Sequence, residues 1–175
     1  YMLQKPYYFK DLFETISQAE EDGYDAAMVG CAADPGVRDA RYMAGIPVIG
    51  PLQAGLYTAG LLGRKVCVLC TAHDGKRPRN RPLHWFEDYL HFYGIDRERV
   101  CFRLVDVVRT DRAKNNRFVE NKMWSELREE LSAQFHRSVL EYGIDQAEKA
   151  VSEDGADVVF FACTLFGGKL GPVAE

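Results

Sequence analysis

Apolar positions in this chain follow two periodicities. Short apolar runs bounded by Gly, Asp or Pro predict buried strands at residues 26–30, 46–49, 65–71, 100–105 and 158–162. Between them, spacing of three and four residues predicts helices at 8–22, 37–43, 51–62, 82–93 and 118–153. Pro51 and Pro82 open two of these helices, and Gly63 and Gly94 stop them. The helix over 82–93 aligns Leu83, Phe86, Leu90 and Tyr93 on one face; the last helix carries Met123, Leu127, Leu131, Phe135 and Val139, with Gly143 as a candidate break. Strands alternating with helices specify an α/β fold with mostly parallel sheets.

Superimposed on this alternation is a repeat. Glu21, Asp22, Gly23, Asp25, Cys31 and Gly36 recur as Glu153, Asp154, Gly155, Asp157, Cys163 and Gly168, at a constant offset of 132. Each copy reads as a helix, a glycine stop, a buried strand, a cysteine at the strand's carboxyl end and a glycine-containing loop. Open α/β sheets bind ligands at that end. The repeat predicts two pseudo-symmetric lobes, residues 1–63 and 64–175, which together would set a thiol on each face of a substrate. Each half lacks elements that the other shows, and the first residue is Tyr1. Missing structure is therefore expected at both ends, about 50 residues before Tyr1 at ~30 per βαβ unit, and fewer after Glu175.

Cys31 and Cys163 suit acid–base chemistry. A free thiol titrates near ~8.5, leaving a few per cent as thiolate at neutral pH. A strand-end sulfur facing the next helix meets backbone N–H groups and a helix dipole, both of which favour the thiolate. Two such sulfurs on opposite faces of one carbon would exchange its proton, each serving as base or acid according to the substrate's hand. The competing readings are two small core residues and a catalytic disulfide. His73 and Asp74, just past the predicted strand end at Thr71, are candidate assistants from a loop.

Composition narrows the partners. With 175 residues, 47% of them hydrophobic, the chain can bury a real core. A formal net charge of −4 argues against nucleic acid, and no apolar run approaches the ~20 residues that cross a bilayer. An odd set of five cysteines without a secretory signal points to a reduced, cytoplasmic protein. Lys76, Arg77, Arg79 and Arg81 read as a solvated loop or a polyanion contact; residues 106–121, with Arg109, Asp111, Arg112, Lys114 and Arg117, read as a surface loop, a lid or a subunit contact. No metal is expected. Cys67 and Cys70 fall on opposite faces of one strand, Cys101 reads as strand core, and the helical stripe of His84, Asp88 and His91 has no further ligand.

The run from Val29 through Cys31, Ala32, Ala33, Asp34, Pro35 and Gly36, followed by Ile46 to Pro51, resembles the first catalytic-cysteine region of the aspartate/glutamate/hydantoin racemase superfamily. Gly155 through Ala162, Cys163, Thr164, Gly167 and Gly168 is similar to the second. Asp34, Pro35 and Gly36, with Gly167, suit the hydantoin racemase branch; the amino-acid racemases of the superfamily usually carry Asn-Thr and Thr-His where Ala32, Ala33, Thr164 and Leu165 stand. The resemblance implies a cofactor-independent racemase or epimerase of two α/β lobes, with its active site in the cleft between them and Cys31 and Cys163 as proton carriers. Backbone N–H groups around Ala32, Ala33, Asp34, Thr164, Leu165 and Gly167 would bind the substrate's enolate oxygen. Gln53, where the family often has Glu, is a further assisting candidate. The expected substrate is a small molecule, a hydantoin or related amino-acid derivative, whose ring C–H is a stronger carbon acid than that of a free amino acid. Symmetric self-association is expected of such lobed enzymes. Decarboxylation, cis–trans isomerisation and a non-catalytic small-molecule binder remain as alternatives.

Overall fold

The computed structural model describes residues 5–72, 84–106, 117, 120–163 and 166. The chain divides into two compact units, Tyr1–Leu61 and Leu62–Glu175.

In the first unit, helix α1 (Lys5–Glu21) leads to strand β1 (Ala27–Met28), helix α2 (Val37–Met43), strand β2 (Val48–Ile49) and helix α3 (Pro51–Leu62). The two strands pair in parallel, Ala27 beside Val48 and Met28 beside Ile49. Ile16, Val29, Val37, Ala40 and Val48 form the core, and Leu12, Phe13 and Cys31 pack against it. Both strands are shorter than the apolar runs predict. The ladder takes two residues of each run, and the rest of 26–30 turns toward Cys31.

The second unit carries strand β3 (Val66–Ala72), helix α4 (His84–Tyr93), strand β4 (Val100–Asp106), helix α5 (Trp124–Ser152) and strand β5 (Val158–Phe161). Its three strands are parallel in the order β4-β3-β5. Alternation along β3 separates two faces. Cys67 and Leu69 join Val105, Val139, Ala150, Ala156 and Phe166 in the core beneath α5. On the other face, Phe86 of α4 meets Phe102 at 4.7 Å between ring centroids. Helices on opposite faces are what right-handed crossovers demand when the chain steps from β3 to one neighbour and then back across to the other.

Gly143 breaks nothing. It is buried within an unbroken α5, which begins at Trp124 rather than at 118. The loop with Lys76, Arg77, Arg79 and Arg81, and the residues Arg109, Asp111, Arg112 and Lys114, lie outside the described residues.

The repeat is visible in the backbone of each unit. Gly23 and Gly155 both adopt positive φ, 82° and 67°, where a side chain is strained. Tyr24 N–H then reaches back to Ala19 O at 3.0 Å, and Ala156 N–H to Ala150 O at 2.9 Å, closing the two helix ends.

A carboxylate fixes the start of the second sheet. Asp157 accepts the Arg64 and Lys65 backbone N–H groups at 2.9 and 2.8 Å, joining the approaches to β3 and β5. The Arg64 amide first, then that of Lys65, holds the Asp157 carboxyl below its usual range. A carboxyl lowered in the folded state contributes stability above its unfolded value, ~3.9, and loses that contribution as pH falls through the lower folded value. Asp157→Asn should therefore lower the melting temperature at neutral pH, with the gap to the parent chain narrowing below about pH 4. A gap that stays constant through the acid range would remove this role from Asp157.

Candidate functional site

Cys31 follows β1 at a half-buried position. Its N–H donates to Val29 O at 2.9 Å, and its carbonyl accepts the Asp34 N–H at 3.0 Å, closing a turn. Cys163, likewise half-buried, follows β5, and its carbonyl accepts the Phe166 N–H at 3.0 Å. The residue three positions on thus bonds back to the cysteine carbonyl in each unit, at matching places in the repeat. Both partners, Asp34 and Phe166, are fully buried.

Different forces hold the two turns. Asp34 sits at φ 45°, in the left-handed region that Asp tolerates better than most residues. Its carboxylate accepts Leu52 N–H at 2.8 Å and Gln53 N–H at 3.0 Å, satisfying the first turn of α3. Gly50 makes room for this: a Cβ there would collide with the Asp34 carboxylate. Phe166 instead fills the α5 core, edge-on to Phe161 at 5.3 Å. One post-cysteine turn is pinned by charge-assisted hydrogen bonds, the other by apolar packing.

Other predicted residues take distinct places. Ala32 is buried and Ala33 half-buried in the turn after Cys31. Gln53 directs its amide oxygen to Arg41 Nη2, which donates at 2.7 Å, while Arg41 Nε donates to Val48 O at 2.8 Å. His73, Asp74, Thr164, Leu165, Gly167 and Gly168 lie outside the described residues. His91 is exposed on α4. A surface hollow of about 450 Å³ lies along α1 between Lys10, Phe13, Glu21 and Met43, and no cysteine lines it.

Thr71 is a candidate that sequence reasoning passed over. Its Oγ1 donates to Cys163 Sγ at 3.7 Å, from the carboxyl end of the neighbouring strand. The register that aligns Leu69 with Phe161 brings Thr71 level with Cys163, and no sequence pattern encodes that register. The edge also lies where the chain departs from β3 toward β4, the kind of switch point at which parallel sheets take ligands.

The remaining cysteines differ in character. Burial pushes the Cys70 thiol up, which keeps it protonated and inert. Cys67 and Cys101 stand opposite each other on β3 and β4. The Cys101 S–H donates to Val66 O at 3.7 Å; the neighbouring Cys101 thiol, and then burial, raise Cys67, while the Cys67 thiol beside it lowers Cys101. Asp154, lowered chiefly by Arg103, lies beside them. All five cysteines are free.

Residues 4–175 match the sequence model of the Asp/Glu/Hydantoin racemase family. The chain is 28% identical over 148 residues to a hydantoin racemase of Rhizobium meliloti, covering 85% of this chain and 50% of that protein. It is 25% identical over 156 residues to a hydantoin racemase of Pseudomonas sp. (strain NS671), covering 87% and 50%. Among solved structures, allantoin racemase from Klebsiella pneumoniae superimposes with a TM-score of 0.58 at 21% identity, covering 89% of this chain and 52% of that one. Allantoin racemase from Pseudomonas fluorescens gives 0.59 at 20%, covering 86% and 52%. The fold is thus shared with these structures, and the chain spans about half the length of the relatives it matches. With the family match running over nearly its whole length, this chain belongs to the Asp/Glu/Hydantoin racemase family.

Proposed function

We propose that this chain carries the two proton-transfer thiols of a cofactor-independent racemase, Cys31 and Cys163, acting on a ring carbon beside a carbonyl. The observation that carries the reading is the shared local build: a helix closed by a left-handed glycine, a parallel strand, a half-buried cysteine and an i to i+3 turn, formed once in each unit. Such duplication supplies what inversion of a stereocentre requires, two equivalent groups that alternate as base and acid. The relatives favour the substrate class, since hydantoin and allantoin both contain the hydantoin ring.

In this mechanism one thiolate removes the ring proton while the opposite thiol delivers another to the other face. Charge developing on the adjacent carbonyl oxygen is met by backbone N–H groups of Ala32, Ala33, Thr164, Leu165 and Gly167, with the Thr164 hydroxyl as a further donor. Asp34 fixes the first turn through α3, and the Thr71 hydroxyl holds the Cys163 sulfur in place.

The direct test incubates each enantiomer of a 5-substituted hydantoin, and of allantoin, with the chain in deuterated water. Both enantiomers should lose optical activity and gain one deuterium at the ring carbon. Cys31→Ser and Cys163→Ser should each slow this at least ~100-fold, the usual scale of a positioned acid or base. Full activity in either serine variant would exclude the two-thiol mechanism. Thr71→Val, which removes a bond worth about 1 kcal/mol, should slow turnover about fivefold. Asp34→Ala, orphaning two amides at the start of α3, should lower unfolding free energy by about 2 kcal/mol in urea titration.

A further inference from the structure

Among the described residues, the proposed reaction leaves one cluster of metal-ligating groups unused. Cys67 and Cys101 are direct partners in the β3–β4 ladder and share the α5 face of the sheet. Asp154, in the turn after α5, brings a carboxylate to the same place, so that both sulfurs and a carboxylate oxygen lie within 4.8 Å of one another. Arg103 orients that carboxylate: its Nε donates to Asp154 Oδ2 at 2.5 Å, and its Nη2 donates to Glu153 Oε2 at 2.7 Å. Cys67 lies four residues before Thr71 on β3, so the cluster is about 13 Å down the strand from the level of Cys163.

We propose that Cys67, Cys101 and Asp154 form a binding site for a thiophilic divalent cation of the zinc class. Two thiolates and a carboxylate, with water as fourth ligand, make a tetrahedral set that such ions favour. Donors held 2.0–2.3 Å from a tetrahedral ion stand about 3.3–3.8 Å apart, so the separations in this cluster need shorten by no more than about 1.5 Å to close onto one. Charge balance also suits it. The ion displaces one proton from each thiol, so two positive charges leave as two arrive, and the local field of Arg103 and Lys65 is met without a net change. Arg103 provides the hydrogen bond that ligating carboxylates typically receive from an outer partner. Cys101 is half-buried and the Asp154 side chain is 28% exposed, which leaves the ion a path from solvent and room for its water. Its ligands come from β3, β4 and the turn before β5, so a bound ion would clip together three segments of the second unit.

The proposal is independent of the racemase reading, and its test removes that reading's thiols. The chain carrying Cys31→Ala and Cys163→Ala is titrated with cadmium in a thiol-free reductant, then with zinc in competition with a chromophoric chelator. The expected result is one ion per chain, a sulfur-to-cadmium charge-transfer band, and protection from alkylation of the half-buried Cys101, assigned by peptide mapping. Adding Cys101→Ala should abolish the band, and adding Asp154→Asn should weaken binding at least ~10-fold. Both positions are partly exposed, so both variants are expected to melt cooperatively. The same alkylation mapping on the unmodified chain with zinc gives a second readout in which Cys31 and Cys163 are scored separately. Absence of saturable one-ion binding, protection assigned to Cys70, or binding that Cys101→Ala and Asp154→Asn leave intact would overturn the site.

Discussion

Backbone N–H groups at the ends of helices and strands need acceptors, and in this chain carboxylates repeatedly provide them. Asp34 takes the first amides of α3, Asp157 takes those before β3, and both Glu20 oxygens take the Gly45 N–H that precedes β2. Each bond joins segments distant in sequence, by 93 residues for Asp157 and Arg64. Ionised acceptors form stronger hydrogen bonds than neutral ones, and an amide buried without a partner costs about 1–3 kcal/mol. These contacts thus fix loops whose own apolar content is too small to do so. The turn after Cys31 inherits its geometry from this arrangement: the residue that bonds back to the cysteine carbonyl is the same Asp34 that anchors α3.

Much of the architecture was legible because it rests on local chemistry. The helix ends at Gly23 and Gly155 follow from a glycine after an apolar stripe, and α3 begins at Pro51 and ends before Gly63 as such residues dictate. The 132-residue repeat pointed to Cys31 and Cys163, and each follows a parallel strand. Asp34 was legible as a candidate only by resemblance. Its burial and its bonds to α3 depend on where a helix eighteen positions later comes to rest. The start of α5 was misplaced because a helical stripe says where a helix packs and little about where an uncapped end stops; Met123, just before it, makes no side-chain cap.

Strand register was the principal thing hidden. Parallel strands joined by long crossovers carry no turn that sets their alignment, in contrast to a two-residue hairpin. Thr71 beside Cys163, and Cys67 beside Cys101, are both consequences of register. Reading Cys67 against Cys70 within one strand correctly separates those two, since successive residues alternate faces. The partner of Cys67 lay on another strand, at the one position that alignment selects.

The two post-cysteine turns share a hydrogen bond and differ in what holds them, and this bears on the proposed racemisation. A racemase converting enantiomers of equal free energy must show equal kcat/KM in the two directions, because their ratio is the equilibrium constant. Nothing requires kcat or KM separately to be equal. Asp34 holds one turn through directional bonds to α3, whereas Phe166 holds the other by contact with Phe161 and the α5 core. Apolar burial is non-directional and fixes no axis, while a two-amide carboxylate clamp resists displacement along defined axes. If the thiols alternate as base and acid, the enantiomer deprotonated by Cys31 meets the more rigidly set base and the one deprotonated by Cys163 the more compliant one. Unequal kcat values with a compensating difference in KM are therefore the kinetic form that this structural asymmetry takes under the two-thiol mechanism.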